Sequence, residues 1–202
     1  MFGLVHVAER PDAHVVDGPV DGPVDGPVDA RVDSLPDALP ACPADYTISF
    51  TASTSKYKHN LNVEVTWSSA ETLCEMDAVG ITRRTHLVVI EDEGERTELF
   101  MKLKMIGLTD NAWIGLSDRR MEGTMKWVTA EPIGVPANGV SPPWGAGQPD
   151  NNAPNPPGQD CVRLIAPGAP GEGRFDDVEC GATTGFESVC ECDDYPPVPT
   201  NF

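Results

Sequence analysis

Six cysteines stand at positions 42, 74, 161, 180, 190 and 192 of a 202-residue chain. Their even number and wide spread predict three disulfides and an oxidising compartment. Zinc would need clustered ligands, but no Cys-x2-Cys pair occurs and His6, His14, His59 and His86 are scattered. Reduced thiols in a cytosolic chain are the alternative. The other chemistry-bearing residues are carboxylates. Asp and Glu total 32 against 14 Lys and Arg, a net charge of −18. Such a surface repels phosphate backbones, which excludes nucleic acid as a partner. The same carboxylates suit a hard cation such as calcium. Asp176 and Asp177 are adjacent, and paired carboxylates can hydrolyse glycosides. Neighbouring strand residues point to opposite faces, however, which is poor geometry for a cooperating pair. No Gly-x-Ser-x-Gly, phosphate loop or His-Glu-x-x-His occurs. A binding protein is expected, not an enzyme.

The elements around these residues read as one domain behind a leader. Residues 17–28 repeat Asp-Gly-Pro-Val three times, a period too short for a folded repeat. Glycine and proline block regular structure, and the aspartates repel one another. Residues 1–41 are therefore expected to be a disordered acidic spacer, with a folded domain over 42–194 and a short tail over 195–202. Residues 1–10 lack the apolar run of a signal peptide, so the export signal implied by disulfides is expected outside this sequence. No apolar run reaches the length of about 18 residues that a membrane helix needs.

Residues 46–52 and 61–66 read as strands. Trp67, Ala70, Leu73 and Cys74 recur at helical spacing. Residues 86–90 read as a strand. Asp92 followed by Glu95 resembles an N-cap with a reciprocal Glu, and Leu99, Phe100 and Leu103 supply the buried face of the next helix. Strands are expected at 112–116, 125–129, 161–165, 174–179 and 188–191. Residues 130–160 are rich in Pro, Gly and Asn, and a loop that long within a compact domain is usually functional or disordered.

Several motifs, in order, resemble the C-type lectin family. They are Trp67-x-x-Ala70-x-x-x-Cys74, the run from His86 to Ile90, and Trp113-Ile-Gly-Leu116. Trp144 with Gly147-Gln-Pro-Asp150, Gln159-Asp160-Cys161, Phe175-Asp176-Asp177 and Val189-Cys190-Glu191 complete the set. The resemblance implies an α+β, C-type-lectin-like fold with two helices, small antiparallel sheets, a long loop and three disulfides. The implied pairings are Cys74–Cys190, Cys161–Cys180 and Cys42–Cys192; the sequence alone leaves fifteen connectivities open.

The resemblance further implies a sugar-binding calcium site at Gln148, Asp150, Gln159, Asp176 and Asp177. Pro149 is expected to follow a cis peptide bond, as in the family. A weaker second calcium site is implied at Asp118, Glu122, Asn151 and Asp160. The chain departs from the family at Gln159, where Glu is usual, and at Phe175-Asp176-Asp177, where Trp-Asn-Asp is usual. These departures subtract and add one negative charge. The Gln-Pro-Asp order resembles galactose-type members, although residues 151–158 hold no aromatic ring to stack on a sugar. The expectation is an extracellular, secreted or surface-attached lectin binding a glycan through Ca2+. A calcium-independent module with a protein ligand is the alternative.

Overall fold

A computed structural model describes residues 41–51, 53–136, 143–152, 158–184 and 186–202. The expected leader lies outside these residues except for Ala41. The described elements are β1 (Lys56–Asn60), α1 (Trp67–Met76), β2 (Arg84–Leu87), α2 (Glu93–Ile106), β3 (Asn111–Ser117), β4 (Lys126–Trp127), β5 (Cys161–Leu164), β6 (Phe175–Val178) and β7 (Phe186–Asp193). The strands form one sheet in the order β1-β7-β3-β5-β6, with β2 also on β7 and β4 on β3. The small antiparallel sheets expected are thus a single mixed sheet, because β3 runs parallel to β7. The other pairings are antiparallel.

Both helices form where their spacing predicts. Thr66 caps α1 by accepting from the Ser69 N–H, and Trp67, Ala70 and Cys74 are buried. Asp92 caps α2 by accepting from the Glu95 N–H at 2.9 Å. The reciprocal bond from Glu95 reaches one residue further back, to the Glu91 N–H at 2.6 Å. Leu99, Phe100 and Leu103 form the buried face, and Gly107 ends the helix at φ 110°, a left-handed conformation that glycine adopts without steric cost.

The first strand differs from expectation. Among the described residues of that first run, 46–51, a single bridge forms, Ile48 to Tyr57. Residues 61–66 form no strand, and Leu61 and Val63 are exposed. The strand lies between them, in the polar run 56–60. Its five residues pair with Cys192 through Ser188 of β7. A partner ladder outweighs intrinsic strand preference here.

The core gathers around three fully buried tryptophans, Trp67, Trp113 and Trp144. The indole N–H of Trp67 donates to Ile114 O and that of Trp113 to Val65 O, both at 2.8 Å. The Trp113 ring stacks on Phe186 at 4.3 Å, and the Trp144 ring meets Phe175 edge-on at 5.8 Å. Three disulfides fasten this core: Cys42–Cys192, Cys74–Cys190 and Cys161–Cys180. All match the implied pairings. The segment read as a short tail packs on the domain. Val198 N–H donates to Val128 O at 2.7 Å, and the Phe202 ring lies 5.9 Å from that of Trp67.

Beneath β7 lies a buried charged group that sequence reading did not anticipate. His86 Nε2 lies 3.1 Å from Asp193 Oδ1. Glu71 accepts from the Leu87 N–H and Glu191 from the Val89 N–H. Burial pushes the Glu191 carboxyl up from 4.5 to about 8, against the opposing charge of His86. Burial pushes His86 down, but the Asp193 bond and the charges of Glu191 and Asp193 outweigh it and raise the imidazole from 6.5 to about 9. The unfolded chain releases both protons earlier than the folded one, so stability falls as pH rises through both windows. The Glu191 contribution declines between 4.5 and about 8 and the His86 contribution between 6.5 and about 9. The melting temperature is expected to be several degrees lower at pH 9 than at pH 6. A flat or rising profile in differential scanning calorimetry would contradict it.

Candidate functional site

The residues expected to form the sugar site come from β6 and from the loop before β5. Asp177 sits on β6, and its carboxylate is 1% exposed as a residue. Its Oδ1 accepts from the Asp150 N–H at 3.0 Å and its Oδ2 from the Asn151 N–H at 2.7 Å. Burial raises the Asp177 carboxyl, the two backbone bonds lower it, and the Asp150 charge raises it. The Asn152 N–H donates to both Asp150 Oδ1, at 3.2 Å, and Gln159 Oε1, at 2.6 Å. Asp150, Gln159 and Asp177 are therefore joined through three consecutive backbone N–H groups.

Gln148 and Asp176 meet in a neighbouring cleft of about 500 Å³, lined also by Asn111, Arg163, Ile165 and Pro170. The expected cis bond joins Gln148 to Pro149. Gln148 Oε1 is buried without a hydrogen-bond partner. Asp176 faces Arg163 across the β5–β6 ladder. Its Oδ2 accepts from Arg163 Nε at 2.9 Å and Nη2 at 2.5 Å. Sequence reading missed this partner. The available signal was a lone Arg two residues after Cys161, opposite an Asp once the register is known.

The second predicted set is brought together more closely. Asp118 N–H donates to Asp160 O at 3.0 Å, and Asp118 Oδ2 accepts from the Gly123 N–H at 2.8 Å. Asn151 donates to Glu122 Oε1 at 2.8 Å, while its own Oδ1 accepts from the Gln159 N–H at 2.8 Å. A Cβ on Gly158 would stand 2.3 Å from Asn151 Oδ1 and 3.2 Å from Asp160 Oδ1. The glycine, at φ 121°, leaves room for both oxygens. Burial raises the Asp118 carboxyl, the Gly123 N–H lowers it, and the charges of Glu122 and Asp160 raise it.

Among the described residues, no three His, Cys, Asp or Glu side chains stand ready to hold a metal ion. Smaller sets, of two carboxylates with an amide oxygen near them, do remain. Asp118 Oδ1 and Asp160 Oδ1 are buried and without hydrogen-bond partners among the described residues. An orphaned buried carboxylate oxygen is costly unless a cation or proton satisfies it. The neighbouring donors are carboxylate and amide oxygens, without thiolate or imidazole. That chemistry fits calcium better than zinc. Asp118, Asp160 and the Asn151 side-chain carbonyl are the members of the second predicted set that would face such an ion, and Glu122 is bonded to the Asn151 amide. The other predicted set is divided in this structure: Asp150, Gln159 and Asp177 are linked to one another, while Gln148 and Asp176 line the neighbouring cleft with Arg163. No helix among the described residues is long and apolar enough to cross a membrane.

A family model for the lectin C-type domain matches residues 63–192. The chain is 28% identical over 127 residues to C-type lectin domain family 4 member M of Gorilla gorilla gorilla, covering 63% of this chain and 29% of that protein. The same identity over 127 residues relates it to a C-type lectin mannose-binding isoform of Oxyuranus scutellatus, covering 62% and 70%. The chain thus spans less than a third of the length of the primate relative. Among solved structures it is similar to the carbohydrate-recognition domain of the mouse scavenger receptor C-type lectin. That match has a TM-score of 0.55 at 26% identity, covering 76% of this chain and 97% of that one. The human scavenger receptor domain matches with a TM-score of 0.56 at 27% identity, covering 75% and 98%.

Proposed function

We propose, from the premise that this chain belongs to the lectin C-type domain family, that it is a calcium-dependent lectin of galactose type acting outside the cytosol. The family is one of carbohydrate-binding domains, not enzymes. The observation that carries the calcium reading is the pair of buried oxygens without partners among the described residues, Asp118 Oδ1 and Asp160 Oδ1, in a group with the exposed Asn151 and Glu122. Calcium, when bound, supplies a positive centre to which two neighbouring sugar hydroxyls can coordinate. The protein's own part is orientation. Asp177 fixes the backbone at Asp150 and Asn151, and Asn152 fixes the side chains of Asp150 and Gln159.

The Gln148-Pro149-Asp150 order supports the galactose preference. One relative is named a mannose-binding isoform, so mannose is the natural competitor in any test. Three disulfides support an oxidising compartment. The competing reading is a calcium-independent module with a protein ligand, favoured by Gln159 and by the Arg163–Asp176 pair.

A glycan array run first in calcium and then in chelator tests the proposal. Binding to terminal galactose that vanishes in chelator is expected. Calcium at a hundredfold excess over its Kd is also expected to stabilise the fold by about 2.7 kcal/mol. Sugar binding that persists in chelator, or a melting temperature indifferent to calcium, would favour the protein-binding module.

A further inference from the structure

We propose that the cleft lined by Gln148 and Asp176 takes part of the sugar and that Arg163 is its charged hydrogen-bond donor, held there by Asp176, so that this pair together does the work of one amide side chain. The inference rests on the carbohydrate-binding reading above. A sugar hydroxyl both donates and accepts, so its site must offer both kinds of group. Ionised Asp150, Asp176 and Asp177 can only accept. The Gln148 side chain offers an amide N–H2 and a carbonyl, the carbonyl without a partner among the described residues. The cleft lined by Gln148 and Asp176 has one cationic lining residue, Arg163.

The guanidinium is fixed on two sides. Its Nε and Nη2 donate to Asp176 Oδ2. Its Cζ lies 5.4 Å from the centre of the Phe186 ring, which is itself stacked on buried Trp113. The bond to Asp176 uses the Nε edge of the fork. The end of the fork, with Nη1 and the second Nη2 hydrogen, remains for a ligand, and the side chain keeps 23% of its exposure. Two parallel donors of that kind suit two oxygens on adjacent sugar carbons. Asp176 is the positioning residue: it sets the fork's angle and offsets its charge. The pair is thus neutral overall and presents one donor face and one acceptor face, as an amide does.

The test separates sugar affinity from calcium affinity. Methyl β-galactoside and methyl α-mannoside are titrated into the whole chain in saturating calcium, and calcium is titrated separately. Arg163→Gln is expected to weaken sugar binding at least about tenfold, the loss of the fork's charge-assisted hydrogen bonds. Its calcium affinity should stay level or rise, because Asp176 is freed. Arg163→Lys keeps the charge and loses the fork, so it should weaken sugar binding too; it also serves if Arg163→Gln folds poorly. Adding Asp176→Asn to Arg163→Gln supplies an amide N–H at the same place and should restore most of the affinity. Unchanged sugar binding in Arg163→Gln overturns the proposal, and so does a parallel fall in sugar and calcium affinity. A double variant no better than the single one overturns the pairing. If the unaltered chain binds neither glycoside in calcium, the carbohydrate reading itself falls, and the role of Arg163 with it.

Discussion

Replacing Asp177 by alanine is expected to abolish calcium-dependent sugar binding and to loosen the loop that carries the site. The two losses have one origin. The Asp177 carboxylate accepts from the backbone N–H groups of Asp150 and Asn151, and alanine leaves both donors without a partner. An unpaired donor costs about 1–3 kcal/mol where it is buried and less where water reaches it. Asp150 and Asn151 are exposed, so the lower end applies and a fall of about 1–2 kcal/mol is expected. Asp150→Ala provides the contrast. Asp150 is exposed, and the one N–H its side chain accepts is shared with Gln159. That variant should lose sugar binding with almost no loss of stability. Retention on a galactose column and scanning calorimetry read the two effects separately. An Asp177→Ala protein that still elutes only with chelator would remove Asp177 from the site.

The largest loss of stability is expected from Cys74→Ala combined with Cys190→Ala. This bridge ties α1 to β7 across a separation of 116 residues, and both cysteines are fully buried. Removing a native disulfide from a small secreted domain costs about 2–5 kcal/mol. For a domain of this size that is a fall in melting temperature of roughly 5–20 °C. The strand matters as much as the bond, since β7 pairs with β1, β2 and β3. Denaturation in urea would measure it. A midpoint like that of the unaltered protein would mean that the burial of Trp67 and Ala70 and the bond of Glu71 to the Leu87 N–H suffice to hold α1 in place.

Much of the fold was legible because its strongest signals are local. The spacing of Trp67, Ala70 and Cys74 predicts α1, and Asp92 marks the start of α2. Strand β1 was not legible, because Lys56, Lys58, His59 and Asn60 carry no apolar alternation of their own. They are a strand because β7 offers its free edge. The site was legible only in part. Its acceptor residues stand in a recognisable order, and the structure links Asp150, Gln159 and Asp177 through backbone N–H groups. The Asp176 partner was hidden, since it depends on the register that sets Arg163 opposite Asp176. The charged group of His86, Glu191 and Asp193 was hidden for the same reason: two strands distant in sequence bring its members together.

The Cys42–Cys192 bridge has a mechanical meaning. It closes a covalent ring over a separation of 150 residues, and every residue of the proposed binding surface, from Asp118 to Asp177, lies within that ring. A tension applied at residues 42 and 192 passes from one to the other through two sulfur atoms. None of it crosses the β-ladders or the long loop. The domain can be tugged at those two points, by flow or by a moving tether, while its binding surface carries no load.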